Sequence, residues 1–224
     1  MMTRQPLLLA VLALLATMPL PPAAAIMGGE PASSSKHAYV VGLYNDGDDA
    51  RPNCAGVLLR EDVVLTAASC VHPLGTAGGG DGGRVAVGRS FFPWANATYP
   101  STYDRRTHEH DIAIVIFRGA HNVTRFARLS SLGVQAGDNV TMVGLAAADP
   151  TREIGDTAGA SSAPGSSFAG DTGGPVLWND TVVGVASVPA EPPRACDPRA
   201  FTDVRSHLRF VALALDRWEG RTKT

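Results

Sequence analysis

Short apolar runs recur along the chain, separated by glycine, proline and polar breaks. They are HAYVVGLY (37–44), CAGVLL (54–59), DVVLTAA (62–68), RVAVG (84–88), DIAIVIF (111–117), NVTMVGLA (139–146), PVLW (175–178) and TVVGVASV (181–188). Each is rich in valine and isoleucine, whose branched Cβ suits a pleated, half-buried surface. Regular short strands with turn signals between them predict an all-β barrel or sandwich. Only the end of the chain changes period. From Val204 onward Leu208, Val211, Leu215 and Trp218 recur at helical spacing, with Asp203 placed to cap the start. That stripe reads as a face docked on the β core. TAGGGDGG (76–83) and DTAGASSAPGSS (156–167) read as loops. The acidic stretch Asp46–Asp49 lacks the ligand spacing of a calcium loop and reads as a solvated turn.

Residues 1–25 stand apart from this pattern. Arg4 is followed by an apolar run from Leu7 to Leu20 and by Ala23-Ala24-Ala25. This is the layout of a secretory signal peptide, and the run is too short for a membrane span. The mature chain, residues 26–224, is expected to be secreted, with no membrane partner. The formal net charge of the whole chain is −2, too close to neutral for a nucleic-acid partner. Asn96, Asn122, Asn139 and Asn179 each begin an Asn-X-Thr sequon, which places them at the surface as glycosylation candidates. Of the three cysteines, Cys54 and Cys70 are close in sequence and should pair in an oxidising compartment. Closing that loop contributes roughly 3 kcal/mol in the chain-entropy model. Cys196 is left over, as a buried thiol or as one half of an intermolecular bond.

The candidate chemistry lies in the order of five segments. IMGGE starts at Ile26, CAGVLL carries Cys54, LTAASC carries Cys70, HDIAIVIF carries Asp111, and GDTGGPV carries Asp171 and Thr172. In this order and spacing the chain resembles the chymotrypsin/trypsin family of serine proteases, whose segments are IVGG, CGGSLI, TAAHC, DIALL and GDSGGP. The resemblance implies two six-stranded antiparallel barrels with the site in the cleft between them. It places the catalytic aspartate at Asp111, the histidine at Ser69 and the nucleophilic serine at Thr172. The backbone N–H groups of Gly170 and Thr172 take the oxyanion-hole positions. Ile26, freed by signal cleavage, takes the place of the amino terminus that pairs with Asp171.

Two of the three catalytic positions therefore differ. Thr172 keeps a hydroxyl, and threonine is a nucleophile elsewhere, although its methyl group stiffens χ1. Ser69 is the decisive change, because a hydroxyl near neutral pH cannot accept the nucleophile's proton. Losing the base of a comparable triad costs on the order of 10⁶ in turnover. His72, His108 and His110 are expected to be surface-loop histidines, none at the family's imidazole position. His108 and His110 lack a third ligand, so no metal is expected, and no cofactor.

The substrate side departs as well. Ser166 matches the pocket floor. Pro189 replaces a glycine that normally pairs with substrate backbone, removing an N–H donor. Arg199 stands on the pocket wall, where it either fills the pocket or turns to solvent. Phe168 stands where the family has a cysteine, leaving Cys196 without its usual partner. The stretch from Gly144 to Gly170 is short, so the second barrel should be incomplete. The missing histidine with GDTGGP is similar to the oomycete glucanase inhibitor proteins, inactive secreted protease homologues that block host endoglucanases. The expected function is that of a monomeric secreted pseudoprotease acting on a protein partner, with a secreted glycoside hydrolase as the implied class. The alternative is an unconventional endopeptidase using Thr172. N-terminal sequencing of the secreted protein should begin at Ile26; any other start removes the proposed pairing with Asp171.

Overall fold

The computed structural model describes residues 30–33, 35–44, 52–71, 83–119, 121–135, 137–145, 159–161, 170–187 and 201–222. The expectations for residues 1–25, Ile26, Asp46–Asp49, His72, Ser166, Phe168, Pro189, Cys196 and Arg199 lie outside them.

The first half builds a closed barrel. Its strands are β2 (Val40–Tyr44), β3 (Cys54–Arg60), β4 (Val63–Thr66), β5 (Arg84–Val87), β6 (Ser90–Thr98) and β7 (Ala113–Phe117). They close in the order β2-β3-β4-β7-β6-β5, each pair antiparallel. β2, β4 and β7 are buried along their whole length. This explains why their sequences read as continuous apolar runs: every side chain meets either the barrel interior or a neighbouring layer. A single turn of helix, α1 (Ala68–Val71), follows β4 and carries Ser69 and Cys70. Cys70 is disulfide-bonded to Cys54 with Cα atoms 6.0 Å apart, which ties α1 to the start of β3.

The second half, joined by one strand from the start of the chain, builds a six-stranded sheet in the order β1-β9-β8-β10-β11-β12. Its strands are β1 (Glu30–Pro31), β8 (Thr141–Gly144), β9 (Gly159–Ser161), β10 (Pro175–Trp178), β11 (Thr181–Ala186) and β12 (Phe201–Asp203). Among the described residues this sheet stays open, in line with the short stretch after Gly144. A 3₁₀ turn (Arg205–His207) and the helix α2 (Leu208–Thr222) end the fold. Asp203 caps the turn: its carboxylate accepts the N–H groups of Arg205 and Ser206 at 3.3 and 3.2 Å. Val204 and Val211 are buried, and Leu208, Leu215 and Trp218 pack on the core.

Four strands escaped the sequence pattern. β6 is the longest of all, yet Pro93 lies in its middle. The strand tolerates Pro93 because it changes partners there. Ser90–Pro93 pair with β5 only, and Trp94–Thr98 with β7 across a register shift. A missing N–H interrupts no ladder at that handover. β1, β9 and β12 are two or three residues each, too short for a period to register.

The two halves meet at the turn 170–174. The Ala55 N–H donates to the Thr172 carbonyl at 2.8 Å, and the Gly173 N–H to the Ala186 carbonyl at 2.8 Å. The Thr66 hydroxyl donates to the Ala55 carbonyl at 2.7 Å. The segment 121–130 adds a strap, with Ala127 N–H on the Leu58 carbonyl and Ser130 N–H on the Val182 carbonyl, both 2.9 Å. Gly173 has φ +87°, and a Cβ there would lie 2.2 Å from both the Ala55 oxygen and Thr66 Oγ1. Gly173→Ala is expected to lower stability by about 3 kcal/mol or more, combining backbone strain with a clash against fixed groups. Urea unfolding checks this; a loss under about 1 kcal/mol contradicts the close contact.

Candidate functional site

Asp111 is the centre of the site. It follows a tight loop and precedes β7, and its residue exposure is 0%. The loop is built by Asp104, whose Oδ1 accepts the Arg106 and Thr107 N–H groups at 2.7 and 3.1 Å. Those two bonds hold the Asp104 carboxyl below its usual range. His108 and His110 both adopt left-handed φ values of 56° and 57°. Such values are uncommon outside glycine.

A carboxylate removed from water needs donors. Asp111 receives them from three elements. Ser69, on α1, gives its N–H to Oδ1 at 2.7 Å and its hydroxyl to Oδ2 at 2.9 Å. Ser187, at the end of β11, donates its hydroxyl to Oδ2 at 2.6 Å. His108 Nδ1 lies 3.3 Å from Oδ2, on the same loop as Asp111. Sequence reasoning expected His108 to be a surface-loop residue, and the geometry corrects this. Its ring is 18% exposed and turned onto the buried carboxylate. In the sequence His108 stands three residues before Asp111 and Ser187 closes the VAS segment, but neither spacing by itself marks the contact.

Thr172 stands across from this cluster on the turn before β10. Its carbonyl is held by Ala55, but its hydroxyl makes no hydrogen bond among the described residues. The N–H groups of Gly170 and Thr172 likewise donate to no acceptor among them, with Gly170 at φ +106°. Asp171 between them is fully buried. A Cβ on Gly144 would come within 2.0 Å of Asp171 Oδ1, so glycine at 144 lets the aspartate sit where it does. Ser69, Asp111, Gly170, Asp171 and Thr172 are thus gathered where β3, α1 and β11 meet the 170–174 turn.

Beside the cluster opens a cavity of about 580 Å³, bordered by His108, His110, Ser187, Phe201 and His207. His207 Nδ1–H donates to the Asp203 carbonyl at 2.8 Å, so its Nε2 accepts from His110 Nδ1–H at 3.0 Å. Among the described residues no group of three or more His, Cys, Asp or Glu could hold a metal ion. No helix among them is long and apolar enough to cross a membrane.

The trypsin family pattern matches residues 26–162 of the chain. The chain belongs to the trypsin family. Granzyme-like protein 1 of Rattus norvegicus is 26% identical over 90% of this chain and 96% of its own length. Trypsin epsilon of Drosophila erecta is 30% identical over 72% and 76%. Among solved structures, human heparin binding protein superposes with a TM-score of 0.66 at 18% identity, over 84% of this chain and 96% of the other. At that identity the likeness concerns the trypsin-like fold alone. The matched family segment ends at residue 162, before Gly170, whereas the alignment with granzyme-like protein 1 covers 90% of the chain and so extends into the second half.

Two outcomes test the trypsin-like site. Ser69→Ala and Ser187→Ala should each cost about 1 kcal/mol, and their effects should not add, because both hydroxyls serve one oxygen. Additive costs in a double-mutant cycle contradict a shared acceptor. Tyr103, edge-on to the His108 ring, has its phenol pushed up to about 12 by burial and then by the Asp111 charge. The unfolded phenol ionises near 10 while the folded one stays neutral, so stability should fall as pH rises from 10 to 12. Tyr103→Phe should flatten that slope.

Proposed function

We propose that this trypsin-family chain is secreted, catalytically silent and active through protein binding. One observation carries the reading. At the family's histidine position Ser69 gives both its N–H and its hydroxyl to Asp111. A hydroxyl there has no basicity for a proton from Thr172, and the carboxylate that would orient an imidazole is satisfied without one. The trypsin scaffold then offers a preformed cleft with backbone donors that are unengaged among the described residues and little chemistry, suited to holding a partner segment. The partner class we favour is a secreted endoglucanase, in keeping with the resemblance to oomycete glucanase inhibitor proteins. Heparin, the ligand in a structural neighbour's name, does not transfer: a formal charge of −2 lacks the basic excess a polyanion requires.

A second reading has one observation behind it. His108 Nδ1 lies 3.3 Å from Asp111 Oδ2, a histidine–carboxylate pair reached from a different position. It would make the chain an unconventional endopeptidase with Thr172 as nucleophile. Against it, no hydrogen bond joins His108 to the Thr172 hydroxyl. A general base needs that reach, although such bonds often tighten only once substrate is bound.

Purified protein incubated with a peptide-substrate library should release no more product than Thr172→Ala or His108→Ala. Added to a secreted endoglucanase, it should lower the release of reducing sugar in proportion to its concentration. Peptide cleavage lost in both variants would establish the second reading. Unchanged glucanase activity at saturating protein removes the proposed partner.

A further inference from the structure

A concavity apart from the cleft lies between the end of β6 and helix α2. It measures about 800 Å³, and its walls include Asn96 and Tyr99 on one side and Arg209, Leu213, Arg217 and Trp218 on the other. Three features of it are unusual for an empty surface. Leu213, which lies off the packed stripe, is a large apolar side chain left 46% exposed. Arg209 and Arg217 make no ion pair or hydrogen bond with any described residue. Asn96, half-buried in the wall, has a side-chain amide with no hydrogen-bond partner among the described residues.

Asn96 also begins the sequon Asn96-Ala97-Thr98. The other three sequon asparagines, Asn122, Asn139 and Asn179, are exposed. We infer that the groove is the seat of the N-linked glycan carried by Asn96, which packs its first sugars against α2. The chemistry of the walls fits. Pyranose rings present C–H faces that suit Tyr99, Trp218 and Leu213, and hydroxyls and acetamido oxygens that accept from two guanidinium groups. The Trp218 indole is fixed for this, its Nε1–H donating to Asp62 Oδ2 at 3.0 Å. In the linking reaction Asn96 Nδ2 bonds the anomeric carbon of the first N-acetylglucosamine. The amide gives up one proton and the lipid pyrophosphate carrier leaves. Anchored at the wall, the glycan reaches the groove at high effective concentration, so weak contacts suffice. Its consequence is mechanical: the glycan braces the C-terminal helix against the barrel.

The inference requires passage through the secretory pathway but not the absence of catalysis, so peptide hydrolysis tests the functional reading separately. The test is site-resolved glycopeptide mass spectrometry on protein secreted from a eukaryotic host, followed by hydrogen exchange. Asn96 should be occupied. Amides of Leu208–Thr222 should exchange roughly threefold faster or more in Asn96→Gln, with no change in Asn122→Gln. Thr98→Ala, which keeps Asn96 but destroys the acceptor signal, should repeat the Asn96→Gln result if that variant folds poorly. Three results overturn the inference. One is Asn96 bare while another sequon is occupied, and another is a chain bare at all four. The third is an occupied Asn96 whose removal leaves α2 exchange unchanged, which frees the groove for a peptide or a second copy.

Discussion

A carboxylate with no exposed surface must be supplied with donors, and the site is organised around that requirement. Asp111 is held at the junction of a loop, α1 and the end of β11, each contributing one donor residue. In a working triad one such donor is the imidazole that later carries the proton. Here Ser69 fills that role twice over, through backbone and side chain. The electrostatic need of the buried charge is met without an imidazole at position 69, which is the basis of the catalytically silent reading we propose. On the proposed function, this separation of structural satisfaction from chemistry is what would let a protease scaffold serve for binding.

The same economy holds at the seam between the halves. The 170–174 turn is fixed by backbone bonds to Ala55 and Ala186, and Gly173 admits Thr66 and Ala55 at distances no side chain could share. None of these contacts involves the Thr172 hydroxyl. Thr172 can therefore replace serine without disturbing the turn, and the Gly170 and Thr172 amides stay unengaged among the described residues. Catalytic groups can be lost without loosening the cleft that displays them.

Much of this was legible in the chain. Buried strands such as β4 and β7 announce themselves as valine and isoleucine runs, and α2 by its four-residue stripe. The Cys54–Cys70 bond followed from proximity and compartment, and it is formed. The family resemblance located Ser69, Asp111 and Thr172, which the fold brings to one place. What was not legible depends on three-dimensional neighbours. Pro93 conceals β6 because a period argument does not see a strand changing partners. His108 looked like loop decoration because its turn toward Asp111 depends on a left-handed backbone no motif encodes. Ser187 was part of a recognised segment, but its hydroxyl finds Asp111 only when β11 lies beside the barrel, a contact 76 positions apart in sequence.

Intact-mass spectrometry after exposure to a fluorophosphonate probes the central claim most directly, because the reagent phosphonylates only a hydroxyl whose proton has somewhere to go. The wild-type chain should remain unmodified, and Ser69→His combined with Thr172→Ser should gain one adduct on Ser at position 172. An adduct on Thr172 of the wild-type chain would contradict the account, since it would mean that a base other than the missing imidazole serves this cleft.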